Sequence, residues 1–380
     1  MKNLKIVFCT DGIFPHSIGG MQRHSNLLIE YLAKNNKVDL IVIHPHEEKV
    51  FAASSNIHEF FVKPINPKKN YLLECYRYSK RVYKIISEQG NCIIYSQGLS
   101  VWYNIKRVSD RLIINPHGLE AYQVISLKEK MVAIPFKIIF NYLFNNAAYV
   151  ISLGGKLTGI LNNTITNHIT KVIELPNGVN FGTSFSNKHF NTDKINFLFV
   201  ARFAHNKGIH ILLEAIKELN SEGWENKLNF NLGGRGPLFE HFRSNFNYKN
   251  IIYLGFISDE QLTELYKKAD AFVFPTLFEG MPTVVLEAMS FGLPIIVSDV
   301  GATAELVDST NGYLINKNSV FELKKAIIDF YNSEKSYKEK LSKSSLNKIK
   351  NKYEWSIVAK KHIELFKKVA DEMLKLKNID

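Results

Sequence analysis

The chain has 380 residues, 46% of them hydrophobic and 22% charged, which excludes a disordered or fibrous protein and fits two to three globular domains. The formal charge of +12 indicates an anionic partner. In residues 179–355, however, basic and acidic residues are nearly equal in number. Most of the excess lies in residues 1–178, with 21 Lys and Arg against 12 Asp and Glu. The absence of a membrane-spanning run or a secretory signal predicts a cytoplasmic protein, so we expect its three cysteines to be reduced.

Short β-branched runs alternate with longer amphipathic runs in the first half. The predicted strands are residues 4–10, 38–44, 92–98, 111–118 and 149–154. Such near-continuous hydrophobic strands, separated by helices, favour a parallel sheet covered on both faces. After the first strand, Gly19 and Gly20 precede a helical pattern, where their backbone could closely approach a phosphate. A tight turn is the alternative interpretation of this glycine pair.

Two further segments of this half have an unusual surface composition. Residues 63–84 carry seven bases and one acid, Glu74, interleaved with aromatic residues, and residues 131–149 are largely apolar. Basic charge combined with apolar anchors is typical of proteins that bind anionic membrane surfaces. The alternatives are a solvated helix for residues 63–84 and a core helix for residues 131–149.

A histidine lies at the carboxyl end of the fourth predicted strand, in the sequence NPHGLE, which begins at residue 115. This residue is His117, and Gly118 after it would let a ligand come near. A lone histidine is more often a structural group than a catalytic one, so both interpretations stay open.

The second half repeats the α/β pattern. Its predicted strands are residues 195–202, 228–234, 251–257, 271–276 and 294–299. Residues 175–194 concentrate Pro, Gly, Asn and Ser and predict a linker, which gives an N-terminal domain of residues 1–178 and a C-terminal domain of residues 179–355. Residues 356–380 have apolar positions near helical spacing and predict a closing helix, whereas the Lys- and Ser-rich residues 333–352 predict a solvated helical face.

Two basic residues follow the first strand of the second half. The segment VARFAHNKG delivers Arg202 and Lys207 to the carboxyl end of this strand, where ligands bind in open α/β sheets. A guanidinium and an ammonium there could neutralise a diphosphate. Ordinary surface charge is the alternative.

The most informative segment runs from Thr276 to Ser298. A loop with Glu279 leads into a helix predicted to start at Pro282, and free backbone N–H groups at such a start favour an anion. Glu279 and Glu287 are acceptor-only groups that suit paired hydroxyls of a ribose or a sugar. The alternatives are a capping role for Glu279 and a solvated position for Glu287.

Several common motifs are missing. The sequence contains no Asp-x-Asp, Walker P-loop, HExxH or GxSxG, which disfavours a metal-held diphosphate, an NTPase, a zinc protease and an α/β hydrolase. We therefore expect no metal and no cofactor. A nucleic-acid recognition motif is missing as well.

Together these motifs resemble the retaining glycosyltransferases of family 4. Glu279 and Glu287 match the E-x7-E signature of the family in EGMPTVVLE, and the similarity continues in VARFAHNKGIHILLEA, GGRGPL, LPNGVN, NPHGLE and SIGGMQRH. The resemblance implies a GT-B fold, in which two Rossmann-like domains with parallel sheets face each other across a cleft. It also implies that the last helix crosses back to the N-terminal domain.

The resemblance assigns roles to the matching residues. Arg202 and Lys207 would bind the donor diphosphate, Glu279 the hydroxyls of the transferred sugar and Glu287 the ribose, while His117 would contact the sugar near the reacting centre. Backbone N–H groups at Gly19 and Gly20 would face the diphosphate. The loop and helix start beneath the donor would comprise Gly280, Met281, Pro282, Thr283 and Val284.

Two residues depart from the pattern of the family. Arg235 in GGRGPL stands where an acid is common, and Asn180 ends NGVN where Asp is usual. We expect Arg235 to lie near the nucleotide and to influence the choice of base. The expected donor is a UDP-sugar rather than a GDP-sugar.

The resemblance leads to a functional expectation: transfer of a sugar from a nucleotide sugar to a glycan or lipid-linked acceptor in surface polysaccharide or glycoconjugate assembly. A nucleotide-sugar hydrolase or epimerase on the same fold is the alternative enzyme. A non-catalytic binding subunit is the alternative from another class, and it is disfavoured because Arg202, Lys207, Glu279 and Glu287 are all present.

Overall fold

The computed structural model describes residues 4–51, 54, 56–124, 127–180, 190 and 193–377, except for the side chains of residues 376 and 377. The chain forms two compact units. The first unit runs to Asn177 and resumes at Trp355, and the second unit is Gly178–Glu354. Most of the expected linker, residues 181–189 with 191 and 192, lies outside the described residues.

The first unit contains a parallel sheet of seven strands among its described residues, in the order β3-β2-β1-β4-β5-β6-β7. The strands are β1 Leu4–Cys9, β2 Val38–His44, β3 Ile57–Phe61, β4 Ile93–Gln97, β5 Leu112–Asn115, β6 Tyr149–Ser152 and β7 Lys171–Glu174. The helices before the crossing to the second unit are α1 Gly20–Ala33, α2 Tyr71–Glu88, α3 Glu120–Gln123, α4 Leu127–Phe144 and α5 Lys156–Thr164.

The second unit contains a parallel sheet of six strands in its described part, in the order β10-β9-β8-β11-β12-β13. The strands are β8 Ile195–Val200, β9 Leu228–Gly233, β10 Ile251–Gly255, β11 Ala271–Phe274, β12 Ile295–Ser298 and β13 Gly312–Ile315. The helices are α6 Ile209–Ser221, α7 Phe239–Asn245, α8 Asp259–Lys268, α9 Thr283–Ser290, α10 Thr303–Leu306, α11 Val320–Asn332 and α12 Lys335–Lys348.

Both sheets have the doubly wound order of a Rossmann-like fold. The strand order reverses between β1 and β4 in the first sheet and between β8 and β11 in the second. At such a reversal the loops after the two strands diverge and leave a crevice at the carboxyl edge, which is where ligands bind. The predicted α/β class with two parallel-sheet domains is confirmed.

The last helix, α13 (Trp355–Lys377), belongs to the first unit. It packs against α1, and its buried residues Trp355, Val358, Phe366 and Val369 are part of the core of that unit. Each fully buried side chain of this size contributes about 1.5–3 kcal/mol. The helix therefore stabilises a domain from which it is separated by the whole second unit.

Three strands were not predicted from the sequence: β3, β7 and β13. All lie at or near sheet edges, where one side is exposed and the apolar run is short. The prediction of a solvated face for residues 333–352 was wrong for one side of α12, because Leu341 and Ser345 are buried and the Ser345 hydroxyl donates to the Leu293 carbonyl at 2.8 Å.

Among the described residues, none of the helices combines the length and the hydropathy needed to cross a bilayer.

Candidate functional site

Two loops meet at the strand reversal of the second unit. The first follows β8 and carries Arg202 and Lys207, and the second follows β11 and carries Glu279. The backbone carbonyl of Asn206 accepts hydrogen bonds from the Leu277 amide at 2.9 Å and from the Thr276 hydroxyl at 3.0 Å. These bonds fix the two loops to each other.

The side chains of Lys207 and Glu279 form an ion pair at this junction. Lys207 Nζ lies 2.6 Å from Glu279 Oε1, and the Thr276 hydroxyl lies 3.1 Å from the same oxygen. The side chains are 26% and 12% exposed, respectively. Because both charges are largely removed from water, they orient each other strongly, and an incoming anion would find the ammonium already positioned.

The helix beneath this pair begins one residue later than predicted. Its first residue is Thr283, and Pro282 is the extended residue before it. The first N–H groups of any helix lack partners within the helix, so Thr283 and Val284 offer donors at this edge. The preceding Gly280 carbonyl accepts from the Ala302 amide at 2.9 Å, while Met281 is buried.

Glu287 has a structural partner and is not simply solvated. The hydroxyl of Tyr266 donates to Glu287 Oε2 at 3.1 Å, and the Tyr266 ring stacks on Phe291 with centroids 5.3 Å apart. This hydrogen bond helps to hold the carboxylate, an acceptor-only group, in place on α9,.

Sequence reasoning missed Gly301, which follows β12. Its φ is +55°, and an added Cβ would lie 2.1 Å from the Glu279 carbonyl oxygen. Only glycine allows this approach. Gly301 therefore sets the position of the backbone that carries Glu279, although no motif in the sequence distinguishes it from other turn glycines.

Arg202 and Arg235 are both exposed at this edge. The Phe203 amide donates to the Arg235 carbonyl at 3.1 Å, so the two predicted segments lie side by side. The Arg235 guanidinium is 5.6 Å from the centre of the Phe239 ring. The structure thus brings both arginines, Lys207 and Glu279 to adjoining loops at the carboxyl edge of one sheet.

The remaining predicted residues lie in the first unit. Gly19 immediately precedes α1, Gly20 is its first residue, and His117 follows β5 with a φ of +58°. The ring of His24 in α1 lies 4.8 Å from that of His117, centroid to centroid. The loop with His117 therefore packs against the first turns of the helix that starts at the glycine pair.

His117 is neutral at physiological pH. Burial, with a smaller contribution from His362, lowers its pKa to about 3. A neutral imidazole can exchange hydrogen bonds with a sugar hydroxyl, but it supplies no positive charge to a diphosphate.

A chain of hydrogen bonds links the backbone of His117 to the last helix. The His117 amide donates to Asn115 Oδ1 at 3.0 Å, and Asn115 Nδ2 donates to the Tyr95 hydroxyl at 2.9 Å. Tyr95 Oη lies 3.5 Å from His362 Nε2, and His362 Nδ1 lies 2.9 Å from the Val358 carbonyl oxygen.

The contact between His362 and the Val358 carbonyl sets the direction of the hydrogen bond between Tyr95 and His362. A carbonyl can only accept, so His362 Nδ1 carries the proton and Nε2 accepts from Tyr95. The left-handed backbone at His117 is thus supported by a residue of α13, for which the sequence gives no signal.

We expect the buried histidines to destabilise the first unit in mild acid. The pKa of His117 is lowered to about 3 and that of His362 to about 4, chiefly by burial, and burial also lowers the pKa of His24. Below pH 6.5 the unfolded chain binds protons that the folded chain does not, so stability falls as the pH drops from 6.5 towards 4. At pH 5 the loss is about 2 kcal/mol for each of His117 and His362,.

Urea denaturation at pH 7 and pH 5 checks this effect. The variant His362→Gln should lose less stability between the two pH values than the wild type, whereas substitution of the exposed His168 by Gln should not alter the difference. Equal losses in the wild type and His362→Gln would contradict the assignment.

No three His, Cys, Asp or Glu side chains are grouped as metal ligands within the part of the chain that the structure describes.

The chain is similar to known proteins in both fold and sequence. Sucrose-phosphate synthase from Thermosynechococcus elongatus superposes with a TM-score of 0.80 over 97% of this chain and 99% of its own, at 18% identity, and so shares the fold. An uncharacterized glycosyltransferase of Methanocaldococcus jannaschii is 28% identical over 84% of this chain and 87% of its own length. Residues 181–348 match the family model "Glycosyl transferases group 1". These similarities support a glycosyltransferase with the GT-B fold.

The chain is also similar to an Escherichia coli enzyme, UDP-Gal:alpha-D-GlcNAc-diphosphoundecaprenol alpha-1,3-galactosyltransferase. The two are 25% identical over 65% of this chain and 68% of the relative. The family match covers the loops with Lys207 and Glu279, whereas the loops that carry Gly19 and His117 lie outside it.

Proposed function

We propose that this glycosyltransferase moves a sugar from a nucleotide-diphosphate donor to a hydroxyl of a glycan or lipid-linked acceptor, with retention of the anomeric configuration and without a metal. We assign it to the retaining enzymes of family 4. The contact between Lys207 and Glu279 at the strand reversal of the second unit carries the proposal.

The chemistry of this contact supports a donor that has an anionic part and a hydroxylated part. Lys207 and the exposed Arg202 supply positive charge for a diphosphate, and the free N–H groups at the start of α9 add donors,. Glu279, fixed by Lys207 and Thr276, suits the hydroxyls of the transferred sugar, and Glu287 suits those of the ribose. Arg235 would lie towards the base.

The reaction replaces one bond at the anomeric carbon by another. The bond to the diphosphate oxygen breaks, the acceptor oxygen forms a bond from the same face, and its proton passes to the departing phosphate oxygen. Negative charge grows on the diphosphate in the transition state, and preorganised positive groups stabilise it there. Lys207 and Arg202 would stabilise this negative charge in place of a metal ion.

Glu279 is better suited to orienting the sugar than to acting as a nucleophile. One of its oxygens is already bonded to Lys207 and lies 3.1 Å from the Thr276 hydroxyl, and a carboxylate neutralised in this way is a weak nucleophile. Its fixed position can hold the sugar in the geometry that favours attack. For His117 of the first unit, which is neutral, we propose the role of a hydrogen-bonding group for sugar hydroxyls,.

The acceptor is proposed from the relatives. The Escherichia coli enzyme uses a UDP-sugar and a diphosphoundecaprenol-linked acceptor, according to its name, which supports a UDP-sugar and a lipid-linked acceptor for this chain. Assembly of a surface polysaccharide or glycoconjugate on the cytoplasmic side of a membrane is the corresponding cellular role.

Nucleotide binding tests the proposed donor site. Thermal unfolding should be measured in EDTA with UDP, GDP, ADP, CMP and their common sugar conjugates. We expect a stabilising shift with UDP or a UDP-sugar, because a ligand that binds only the folded state raises its stability. The variant Arg202→Ala should lose the shift, while the variant Arg243→Ala, which changes an exposed arginine of α7, should keep it.

Other outcomes separate the alternatives. A shift that appears only with added Mg²⁺ or Mn²⁺ would contradict metal independence. Binding with release of free sugar but no transfer to any acceptor hydroxyl would favour a hydrolase. No binding of any nucleotide would favour a non-catalytic subunit.

A further inference from the structure

Helix α4 exposes a continuous stripe of large apolar side chains. Leu127, Met131, Ile134, Ile138 and Tyr142 are 80%, 72%, 54%, 64% and 42% exposed. Their spacing of four, three, four and four residues places them on one face of the helix. These five residues are the α4 stripe.

The opposite side of α4 attaches it to the first unit. Ala133, Leu143 and Phe144 are buried there. The helix therefore packs on the first unit through these residues, and the α4 stripe lies on its exposed side. The interpretation of residues 131–149 as a core helix is therefore wrong for most of α4. Contiguous exposed apolar faces are typical of interaction sites.

The start of α2 continues this surface and adds basic charge. The rings of Tyr71 and Phe136 lie 6.1 Å apart, which places the beginning of α2 beside α4. Tyr71 and Leu73 are exposed apolar residues, and the exposed Lys68 and Lys69 immediately precede the helix.

Positive charge predominates around the stripe. On α4, Lys128 and Lys130 are exposed beside a single acid, Glu129. On α2, the acid Glu74 is already paired with Arg77 at 2.7 Å. A second copy of the chain would bring like charges together if it used the same face, whereas an anionic surface would complement them.

We propose that the α4 stripe and the start of α2 dock the enzyme on a bilayer that contains anionic lipids, with α4 lying in the plane of the interface. Apolar side chains would enter the acyl boundary, and the flanking lysines would contact the headgroups. Docking would bring the enzyme to a lipid-linked acceptor in the membrane, and in that respect the proposal rests on the proposed function. Docking itself requires neither donor nor acceptor.

Vesicle flotation of the full chain tests the docking surface. The probes are vesicles of phosphatidylglycerol and phosphatidylcholine at a ratio of three to seven and vesicles of phosphatidylcholine alone, without nucleotide. We expect binding to the anionic vesicles only. The variant Ile134→Gln/Ile138→Gln should bind at least about 10-fold more weakly, because two apolar anchors are lost. The control Ile169→Gln, which changes an 80% exposed residue outside α4, should bind like the wild type.

A charge variant separates the basic contribution from the apolar one. Lys128→Gln/Lys130→Gln should weaken binding to anionic vesicles roughly 10-fold and make it less dependent on salt. Lys360→Gln/Lys367→Gln, in which two exposed lysines of α13 are changed, should have no such effect.

Two results would overturn the proposal. One is unchanged flotation of both α4 variants. The other is a concentration-dependent dimer, measured by sedimentation, that the stripe variant dissociates. Nucleotide binding by the second unit is measured on the same variants, so a failure of docking stays distinct from a failure of the donor site and from misfolding.

Discussion

Replacement of Lys207 by methionine is expected to lower kcat by roughly 10²- to 10³-fold, the loss typical of removing one preorganised group that stabilises developing charge. The ammonium is held by Glu279 at 2.6 Å in a half-buried position. Its orientation is therefore set before the reaction. The measurement is steady-state transfer with the donor that stabilises the protein in the nucleotide screen.

A second lysine of the same unit provides the matched control. Lys217 on α6 also pairs with a glutamate, Glu214 at 3.1 Å, but both side chains are about half exposed. Such a pair contributes little, so Lys217→Met should leave kcat within about two-fold of the wild type. If Lys207→Met raised KM and left kcat unchanged, Lys207 would bind the ground state and the transition state equally, and its catalytic role would be rejected.

The variant Glu279→Gln refines the interpretation of the same contact. It keeps the size of the side chain but leaves the Lys207 ammonium without its counter-charge. If Glu279 serves mainly to orient the sugar and Lys207, kcat should fall while the nucleotide itself still binds. A covalent sugar adduct on Glu279 of the wild type, detected by mass spectrometry, would instead make it a nucleophile.

The central strands of both sheets were predictable because of where they lie. Strands such as β2 and β12 are largely buried, so they consist mostly of apolar residues, many of them β-branched, that the sequence shows directly,. The edge strand β3 has the exposure pattern of a half-buried strand with polar positions, and the four residues of β7 are all at least partly exposed. Such short, polar runs resemble loops.

The donor-side residues were predictable for a topological reason. In a parallel sheet, residues just after adjacent strands converge on one edge, so Lys207 and Glu279 could be placed together although 72 residues separate them,. The contact between them, which joins the predicted diphosphate site to the predicted sugar site, was not foreseen.

Long-range supports of the site could not be predicted. His362 acts on the His117 loop through Tyr95 and Asn115, and only the return of α13 to the first unit brings these residues together. Likewise, the apolar content of residues 131–149 did not reveal which residues would be buried. The spacing of apolar residues predicts that they share one face of a helix, but only tertiary packing determines whether that face contacts protein or solvent.

The variant Gly208→Ala is expected to destabilise the second unit by about 3–5 kcal/mol, the sum of backbone strain and overpacking. Gly208 has a φ of +70°, and an added Cβ would lie 1.8 Å from the carbonyl oxygen of Pro275. That oxygen belongs to the backbone, so no side chain can move aside to relieve the clash. The loops after β8 and β11 would have to separate, which breaks the bonds from Leu277 and Thr276 to Asn206.

The variant Gly223→Ala is the control, because it has the strain of a positive φ without the steric clash. Gly223 has a φ of +86°, but nothing lies within 4 Å of an added Cβ, so Gly223→Ala should cost only about 1 kcal/mol. Urea denaturation of both variants measures the difference, and nucleotide binding below the transition shows its effect on the donor site. Because separated loops no longer hold Lys207 against Glu279, Gly208→Ala should also weaken nucleotide binding, whereas Gly223→Ala should not. Equal stability of the two variants would mean that the contact between Gly208 and Pro275 does not hold these loops together.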